Sequence, residues 1–409
     1  MNSNQKVSRL RMKLLTPDWL YILSFLDTFA TSLIIPLLTI HFRSLGMSHM
    51  LIGIISSVYA GVQLFSSPAI GCWSDKFGKQ QTLKISLLIC AVSYLILGVT
   101  TSIFVIVVIR FILGIMKHTQ TICKTLVPEL FTSEQQTEAF GMINAVTAIG
   151  FVAGPAVGGY FIETENGFQL LCTISCLIFV FNTVIVYYFL RTVEQVYNIK
   201  KESVLSNLKE LFSIEWKLYW DVLILKLLLS LSMSLFYSNY ALTIEENFDV
   251  SPKIIGYTNS FQSFVSAVSC LLSTKFLKIY YTNKSYYLKL FHSFFILSLS
   301  FLCLGFVPNI TIFVLCLVPL CTSSSLLRIM TTEVLLERAM PDQRGSLLGS
   351  ENTIASIAYL IGPSLSGFCR DQFGPICVSI LSVLLTGIGA TLSAILNSHP
   401  INTKGIIFP

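Results

Sequence analysis

Several ionisable residues lie inside long apolar runs of this 409-residue chain, and they are its first candidates for chemistry. The selected candidates are Asp27, Arg110, Lys117, His118 and Glu351. Charge is costly inside a bilayer, so ionisable groups at depth tend to face a protein interior and to serve function. Asp27 is the best candidate for carrying a proton or contacting a solute, because burial favours the neutral form of a carboxylate. His118 could also exchange a proton, since imidazole titrates near neutral pH.

Three basic residues recur every seven positions in one apolar run, at Arg110, Lys117 and Lys124. On a continuous helix this spacing puts them on one face, which predicts a site that favours an organic anion or an amphipathic acid. Acidic residues elsewhere could neutralise part of this charge, so a cationic, drug-like solute is also compatible with the sequence. Lys124 is better explained as a side chain that reaches the membrane surface than as part of the site. An interhelical hydrogen bond explains Lys117 and His118 as well as a proton path does.

The composition indicates an integral membrane protein. Hydrophobic residues make up 54% of the chain and charged residues 12%, with a mean hydropathy of +0.73. A soluble domain carries about 25% charged residues. The 11 cysteines fall mostly in apolar runs and include no C-x-x-C pair, so neither a disulfide framework nor a metal site is predicted. No cofactor is predicted either.

Twelve apolar windows are long enough to cross a bilayer, which needs about 20 residues. They cover residues 19–42, 50–72, 82–102, 104–126, 138–161, 169–190, 222–244, 253–275, 288–307, 310–333, 346–368 and 375–396. Lys and Arg concentrate in alternate connections, which by the positive-inside rule places both termini in the cytoplasm. This placement accounts for the net charge of +6 without a nucleic-acid partner.

The longest hydrophilic segment divides the predicted spans into two groups of six. We expect a cytoplasmic N-terminus at 1–18, a first six-helix half at 19–190, a cytoplasmic linker at 191–221, a second half at 222–396 and a cytoplasmic C-terminus at 397–409. Within the linker, apolar residues between Val204 and Phe212 share one helical face. This pattern predicts an amphipathic helix on the membrane surface.

The two halves repeat a pattern of glycine and proline. The shared positions, offset by 208 residues, are Gly154, Pro155 and Gly159 in the fifth span and Gly362, Pro363 and Gly367 in the eleventh. Gly150 and Gly158 extend the glycine face of the fifth span. Such faces let another helix come close, and proline bends a helix, so we expect a bend at the interface between the halves. Internal repeats of this kind are typical of secondary transporters.

A short hydrophilic stretch connects the second and third spans. Its sequence is Gly71-Cys-Trp-Ser-Asp75-Lys76-Phe-Gly78-Lys79-Gln80. The two glycines suggest a closely packed helix end and a tight turn. An ordinary basic loop explains the composition equally well.

These motifs resemble the major facilitator superfamily over nearly the whole chain. The likeness is strongest to the tetracycline-resistance-like drug/proton antiporters and to their orphan animal relatives. The connecting stretch matches the cytoplasmic signature of the family at Gly71, Asp75, Lys76, Gly78 and Lys79. It departs from that signature at Gln80, where a basic residue is usual.

Further elements of the resemblance concern coupling. Arg110 and Gly114 match an R-x-x-x-G element associated with protons, and residues 150–159 match the fifth-span motif of exporters. The resemblance implies that Asp27 faces a central cavity. The ninth span lacks the acid that tetracycline exporters use there, so their coupling chemistry does not transfer directly. Arg328 and Glu333 in the tenth span are predicted to form a structural or gating pair.

We therefore predict an all-α membrane protein with twelve transmembrane helices in two pseudo-symmetric six-helix halves. It is expected to move a small organic solute by alternating access, through proton-coupled antiport. An uncoupled facilitator or a non-transporting scaffold or receptor is the alternative. A channel would not predict the repeat, and no metal-ligand or nucleophile pair indicates an enzyme. We expect a monomer in the plasma membrane or an endolysosomal membrane.

The hydrophilic stretch 71–80 is predicted to act as a cytoplasmic latch. Asp75 would approach the positive N-terminal end of the eleventh helix near Ser346. Lys79 would meet an acid such as Glu129, below the fourth span.

Overall fold

The computed structural model describes residues 18–190, 218–280, 285–340 and 343–398, and the regular elements in these ranges are helices. In chain order they are α1 (Asp18–Ser44), α2 (His49–Phe77), α3 (Lys79–Val99), α4 (Ile103–Met116), α5 (Thr119–Leu130), α6 (Gln136–Phe161), α7 (Gly167–Leu190), α8 (Trp220–Phe248), α9 (Pro252–Tyr280), α10 (Tyr286–Phe306), α11 (Ile310–Arg338), α12 (Arg344–Phe373) and α13 (Pro375–Ser398). The amphipathic helix predicted between Val204 and Phe212 lies outside the described residues, as do residues 1–17 and 399–409.

Long apolar runs explain why the chain is helical. Inside a bilayer every backbone N–H and C=O must bond within the protein, and a helix satisfies them within one segment. Among the described residues, ten helical segments are long and apolar enough to cross a membrane, with Ile103–Leu130 counted as one. The more polar α9 and α12 are 29 and 30 residues long. Together these segments correspond to the twelve predicted spans, and the predicted all-α class is confirmed.

The packing of the helices divides the chain into two compact units. The first comprises Met1–Leu37 with Phe65–Lys201, and the second comprises Leu38–Leu64 with Glu202–Pro409. The end of α1 and the first part of α2 therefore pack with the C-terminal helices. The boundaries predicted for the two halves, at 19–190 and 222–396, stay a prediction.

In the first unit, the glycine face of α6 packs against α1. A side chain at Gly158 would collide with the backbone carbonyl of Leu33, and one at Gly154 would collide with Ser32. Ser32 Oγ donates a hydrogen bond of 2.8 Å to the carbonyl of Gly150. The predicted close approach is thus present, but these contacts lie within the first unit. A role at the interface between the halves stays a prediction.

The second unit repeats the contact between glycine and serine. A side chain at Gly362 of α12 would collide with Ser234 of α8, as one at Gly154 would with Ser32 in the first unit. The sequence repeat is therefore accompanied by a repeated helix contact. Both α6 and α12 remain helical through their prolines.

The start of α2 also packs closely against α12. The carbonyl of Pro363 lies where a side chain at Gly53 would be, and the backbone of His49 lies where one at Gly367 would be. Two helices can approach this closely only where both present a small surface. This contact brings the polar residues at the start of α2 beside those at the end of α12.

Candidate functional site

The fourth span is interrupted where two of the predicted site residues lie. α4 ends at Met116 and α5 begins at Thr119. Between them, Lys117 has φ and ψ of −81° and 67°, and His118 has −120° and 18°, which depart from helical values. Broken helices at membrane depth occur where the backbone is buried in protein or lines a cavity, and in transporters they often mark the binding site.

This break corrects the predicted ladder of cations. Arg110 lies on α4 and Lys124 on α5, so no continuous helical face joins them through Lys117. Arg110 is buried, whereas Lys124 is exposed. The exposure of Lys124 agrees with a side chain that reaches the membrane surface.

Lys117 forms a buried ion pair with Asp27 of α1. Its Nζ donates to Asp27 Oδ1, and the two side chains are only 8% and 2% exposed. Gln120 Nε2 donates to Asp27 Oδ2 at 3.2 Å, to the Thr28 hydroxyl at 3.0 Å and to the Ser24 carbonyl at 2.8 Å. Both oxygens of the carboxylate therefore have a donor, which compensates the buried charge.

An aromatic pair lies beside the Lys117 ammonium. The Nζ atom is 4.8 Å from the centroid of the Phe179 ring. Phe179 in turn stacks on Tyr94, with ring centroids 5.3 Å apart. A cation near a ring is attracted by the electrons of its face. Lys117 would therefore keep one favourable contact if Asp27 lost its charge.

His118 makes a hydrogen bond across helices. Its Nε2 lies 2.8 Å from the hydroxyl of Ser66 on α2, and that hydroxyl lies 3.0 Å from the carbonyl of Gly114. The hydroxyl has one hydrogen, so when it bonds the carbonyl, Nε2 must be the donor to Ser66. The contact matches the interhelical hydrogen bond considered from the sequence, and proton exchange at His118 stays a prediction.

Gly78 forms the turn between α2 and α3. Its φ of 92° favours glycine, and α3 begins at the next residue. Lys79 Nζ then donates to Glu129 Oε1 at 2.5 Å and to the carbonyl of Thr125 at 2.7 Å. The predicted contact between Lys79 and Glu129 is present, while its role in a latch stays a prediction.

Gly71 differs from its prediction. It lies inside α2 and not at a helix end, and a Cβ there would meet no described atom within 4 Å. The expectation of close packing at Gly71 is therefore wrong. Asp75 and Lys76 are exposed, and the approach of Asp75 to the helix near Ser346 stays a prediction.

Gln80 has a structural role of its own. It is buried, and its amide donates to the carbonyls of Val186 and Tyr187, near the end of α7, at 3.2 Å each. The amide satisfies two carbonyls near a helix end without burying a charge. This contact explains why an uncharged side chain fits where the family signature has a basic one.

A second buried ion pair lies in the second unit. Glu351 of α12, a predicted site residue, accepts hydrogen bonds from Lys226 Nζ at 2.5 Å and from the Thr332 hydroxyl at 2.6 Å. The Lys226 and Glu351 side chains are 9% and 7% exposed. The sequence analysis missed Lys226, although a lysine inside the apolar run of α8 satisfies the rule that identified Lys117.

The predicted pair of Arg328 and Glu333 is wrong. Neither residue forms an ion pair with the other among the described residues. Five positions on the continuous helix α11 separate them by about 140° around the axis, so their side chains point in different directions. Thr332, adjacent to Glu333, is the residue that reaches Glu351.

A polar network that the sequence analysis did not find joins the ends of α8, α10 and α11. Arg338 Nη1 lies 3.0 Å from both oxygens of the buried Asp221. Tyr287 donates to Asp221 at 2.6 Å, and Arg338 Nη2 donates to Tyr287 at 2.6 Å. The partners lie far apart in sequence, so spacing alone could not identify them.

Another network, centred on Glu246 near the end of α8, was also missed. Glu246 accepts hydrogen bonds from Arg370 at 2.6 Å and from His49 at 3.0 Å, and it forms an ion pair with Arg43 at 3.3 Å. Asp371 lies 2.8 Å from the other ring nitrogen of His49 and accepts the Met50 N–H at 2.8 Å. It thereby satisfies a backbone donor at the start of α2. The network connects α1, α2, α8 and α12 inside the second unit.

Metal chemistry is not indicated by the described ranges. Among them, no group of three or more His, Cys, Asp or Glu side chains is arranged to hold a metal ion. Two pairs of buried charged residues, Lys117 with Asp27 and Lys226 with Glu351, are lysine–carboxylate pairs. Such pairs can exchange protons and bind charged groups.

Apolar helices of membrane-spanning length, an internal repeat and a buried ion pair at a broken helix define a secondary transporter rather than an enzyme. A sequence profile of the Major Facilitator Superfamily matches residues 20–325. The chain belongs to this superfamily.

Relatives with similar sequences are bacterial resistance proteins. Quinolone resistance protein NorA of Staphylococcus aureus strain MSSA476 is 28% identical over 244 residues, which are 58% of this chain and 60% of NorA. NorA of strain MRSA252 is 24% identical over 389 residues, covering 92% of this chain and 94% of NorA. Multidrug resistance protein 2 of Bacillus subtilis strain 168 is 24% identical over 353 residues, covering 85% and 86%. The first of these alignments spans only about 60% of the relative's length.

Solved transporters share the fold. A bacterial homolog of the human lysosomal transporter Spinster, in an inward-facing and unoccupied conformation, matches with a TM-score of 0.78 at 12% identity, over 95% of this chain and 97% of the other. The nucleoside transporter NupG matches with a TM-score of 0.72 at 15% identity, over 95% and 99%. At these identities the likeness concerns the fold alone.

Proposed function

We propose that the chain is a proton-coupled antiporter of a small organic solute, in which Asp27 takes the proton. The observation that carries this proposal is the buried pair of Asp27 and Lys117 at the break in the fourth span. An ionisable carboxylate, a counter-charge and an irregular backbone coincide here at membrane depth. Proton uptake there would change both the charge of the site and the contacts at the break.

The pair has two charge states. With Asp27 ionised, the pair has no net charge, and Lys117 donates its hydrogen bond to Asp27. With Asp27 protonated, Lys117 keeps Phe179 as a neighbour but loses its counter-charge. An uncompensated cation in a medium of low dielectric constant is costly. Protonation therefore favours a rearrangement at Lys117, where the backbone is already irregular.

The charge of the solute decides the sense of coupling. A cationic solute would bind the ionised state and would be repelled when protonation adds a positive charge, which gives antiport. An organic anion would instead be attracted to the released Lys117 and would bind together with the proton. The predicted preference for an anion therefore implies the opposite sense. The names of the quinolone- and multidrug-resistance relatives support the antiport form.

The surroundings of the site fit a transport cycle. We place both termini in the cytoplasm on the distribution of Lys and Arg, with the protein acting as a monomer in the plasma membrane or an endolysosomal membrane. Lys79 and Glu129 support a gate at the stretch 71–80, because their bond joins the start of α3 to the end of α5, the helix that begins at the break. Opening this bond would free the end of α5.

Solute accumulation by the purified protein in proteoliposomes tests the proposal. Vesicles with an acidic lumen are expected to accumulate the amphipathic cation ethidium several-fold above vesicles without a pH gradient. Asp27→Asn should abolish the difference, whereas Lys124→Gln, at an exposed position on the same span, should retain it. Equal accumulation with and without the gradient would indicate an uncoupled facilitator. No flux of ethidium or benzoate under either condition would favour a non-transporting scaffold or receptor.

A further inference from the structure

The buried pair of Lys226 and Glu351 has no part in the mechanism proposed for Asp27. We propose that Lys226, Thr332 and Glu351 form a second site, which binds a monocarboxylate when Glu351 takes a proton. The inference rests on the proposed function, because protons must reach membrane-buried carboxylates during the cycle. It adds a ligand class and a location in the second unit.

Thr332 can satisfy Glu351 in both protonation states. Its hydroxyl lies 2.6 Å from Glu351 Oε1 and 3.0 Å from the backbone carbonyl of Arg328. A hydroxyl has one hydrogen and two lone pairs, so it donates to the ionised carboxylate. When Glu351 is protonated, its own O–H can donate to Thr332, and Thr332 can turn its hydrogen to the Arg328 carbonyl. The neutral acid then needs no bond from Lys226.

Protonation thereby makes Lys226 available to a ligand. In the ionised state its Nζ is engaged by Glu351 Oε1 at 2.5 Å. The geometry already shows that this ammonium can bind a carboxylate oxygen in a buried setting. A carboxylate on a ligand would take the place of the one that the proton has neutralised.

The exchange conserves charge at the site. The resting pair carries one positive and one negative charge, and the loaded site would carry Lys226 as a cation, a neutral Glu351 and one bound anion. Lys226 and Glu351 are both buried, so any net charge at this site would be costly. A monocarboxylate and one proton leave none, whereas a phosphate dianion would leave one negative charge.

Other charged or titratable groups lie on the helices packed around the pair, and on α10 these include Lys289 and His292 near its start. Those within about three turns of the pair are Asp221 on α8, Arg328, Glu333, Glu337 and Arg338 on α11, and Arg344 on α12. Asp221 is bonded to Arg338. On α9, Lys253 and Lys275 lie toward the two ends, and α13 carries no charged residue. Lys226 is the basic residue whose ammonium contacts Glu351 directly.

Binding of benzoate to the purified protein in detergent tests the site without any transport step. Titration calorimetry at pH 5 and pH 8, in buffers of different ionisation enthalpy, measures both affinity and proton uptake. Wild type is expected to bind at least about tenfold more tightly at pH 5 and to take up about one proton per benzoate. Glu351→Gln should bind equally at both pH values and take up none. Lys226→Gln should lose binding.

Controls separate this site from the proposed function. Lys124→Gln, at an exposed position outside both ion pairs, should leave the pH dependence of benzoate binding unchanged. Inorganic sulfate, which carries two negative charges at both pH values, should bind at least about tenfold more weakly than benzoate. If Lys226→Gln does not fold, the double variant with Glu351→Gln removes both charges together and should bind no benzoate at either pH.

Two results would overturn the site. One is benzoate binding with no proton uptake in wild type, and the other is unchanged proton uptake in Glu351→Gln. Either result would leave coupling at Asp27 intact if ethidium accumulation still depended on that residue. Conversely, pH-independent ethidium flux together with Glu351-dependent proton uptake would refute the antiport proposal and leave this site standing.

Discussion

Lys117 and Lys226 are each held inside the membrane by a single carboxylate. Both lysines are buried, and each ammonium donates to its acidic partner. Such pairs contribute little net stability, because both partners lose their hydration, but removing one partner leaves an uncompensated charge. We therefore propose that these two lysines serve the function of the protein and not its stability.

The pair of Asp27 and Lys117 therefore predicts a non-additive response to substitution. Asp27→Asn or Lys117→Gln alone is expected to lower the free energy of unfolding by about 3–5 kcal/mol, while the double variant should lose much less. Unfolding in detergent followed by intrinsic fluorescence measures all four proteins. Losses in the double variant equal to the sum of the single losses would show that the two residues are energetically independent.

Their position inside apolar runs allowed some of these residues to be predicted from the sequence. Which residues bond to each other could not be predicted. Asp27, Lys117 and Glu351 stand out because they interrupt apolar runs, and Lys226 meets the same criterion. Gln120 is an uncharged polar residue whose importance appears only through its contact with Asp27. Partners brought together by helix packing leave no pattern in the local sequence.

At the scale of helices, the break between α4 and α5 is the feature that hydrophobic periodicity did not reveal. Residues 117–121 at the interruption are polar, but apolar residues flank them on both sides, so residues 104–126 appear as one span. No proline lies beside Lys117 and His118 to indicate a break in the helix. The contacts of these two residues with α1 and α2 accompany the irregular backbone, and such tertiary contacts can override local helix preference.

The glycine faces, in contrast, were correctly expected to pack closely, and they give a matched test. Gly158→Ala should destabilise the protein by about 1–3 kcal/mol, because the new methyl group meets the backbone of Leu33. Gly141→Ala on the same helix has no described atom within 4 Å of its Cβ and should be neutral or stabilising by about 0.5–1 kcal/mol.

The second repeat provides the same comparison on α12. Gly362→Ala should destabilise through Ser234, and Gly349→Ala should not. Thermal unfolding in detergent measures each pair. Equal stabilities within both pairs would mean that close helix packing does not depend on these glycines.

At the scale of the whole molecule, composition and span length were sufficient to predict a helical membrane protein, and the motif resemblance was needed to predict the superfamily fold. Twelve apolar windows predicted the spans, and an offset of 208 residues predicted the repeat. The contact of Gly154 with Ser32 and that of Gly362 with Ser234 show this repeat in three dimensions. The packing of residues 38–64 with the C-terminal helices could not be predicted, because it depends on long-range contacts around Glu246 and Asp371.

The two units also differ in how their ion pairs are supported. Asp27 is bonded by a lysine and an amide, whereas Glu351 is bonded by a lysine and a hydroxyl that has a second acceptor nearby. The two units therefore repeat the packing of their helices, but the hydrogen-bond partners of their buried carboxylates differ. The antiport proposal depends on the first pair alone.

The central claim, that Asp27 carries the exchanged proton, is tested most directly by proton movement itself. Proteoliposomes loaded with a pH-sensitive dye and containing wild-type protein should show a change in internal pH when ethidium is added outside. The signal should be lost in Asp27→Asn and retained in Lys124→Gln. An Asp27→Asn protein that moves protons in response to ethidium as fast as wild type would contradict the account.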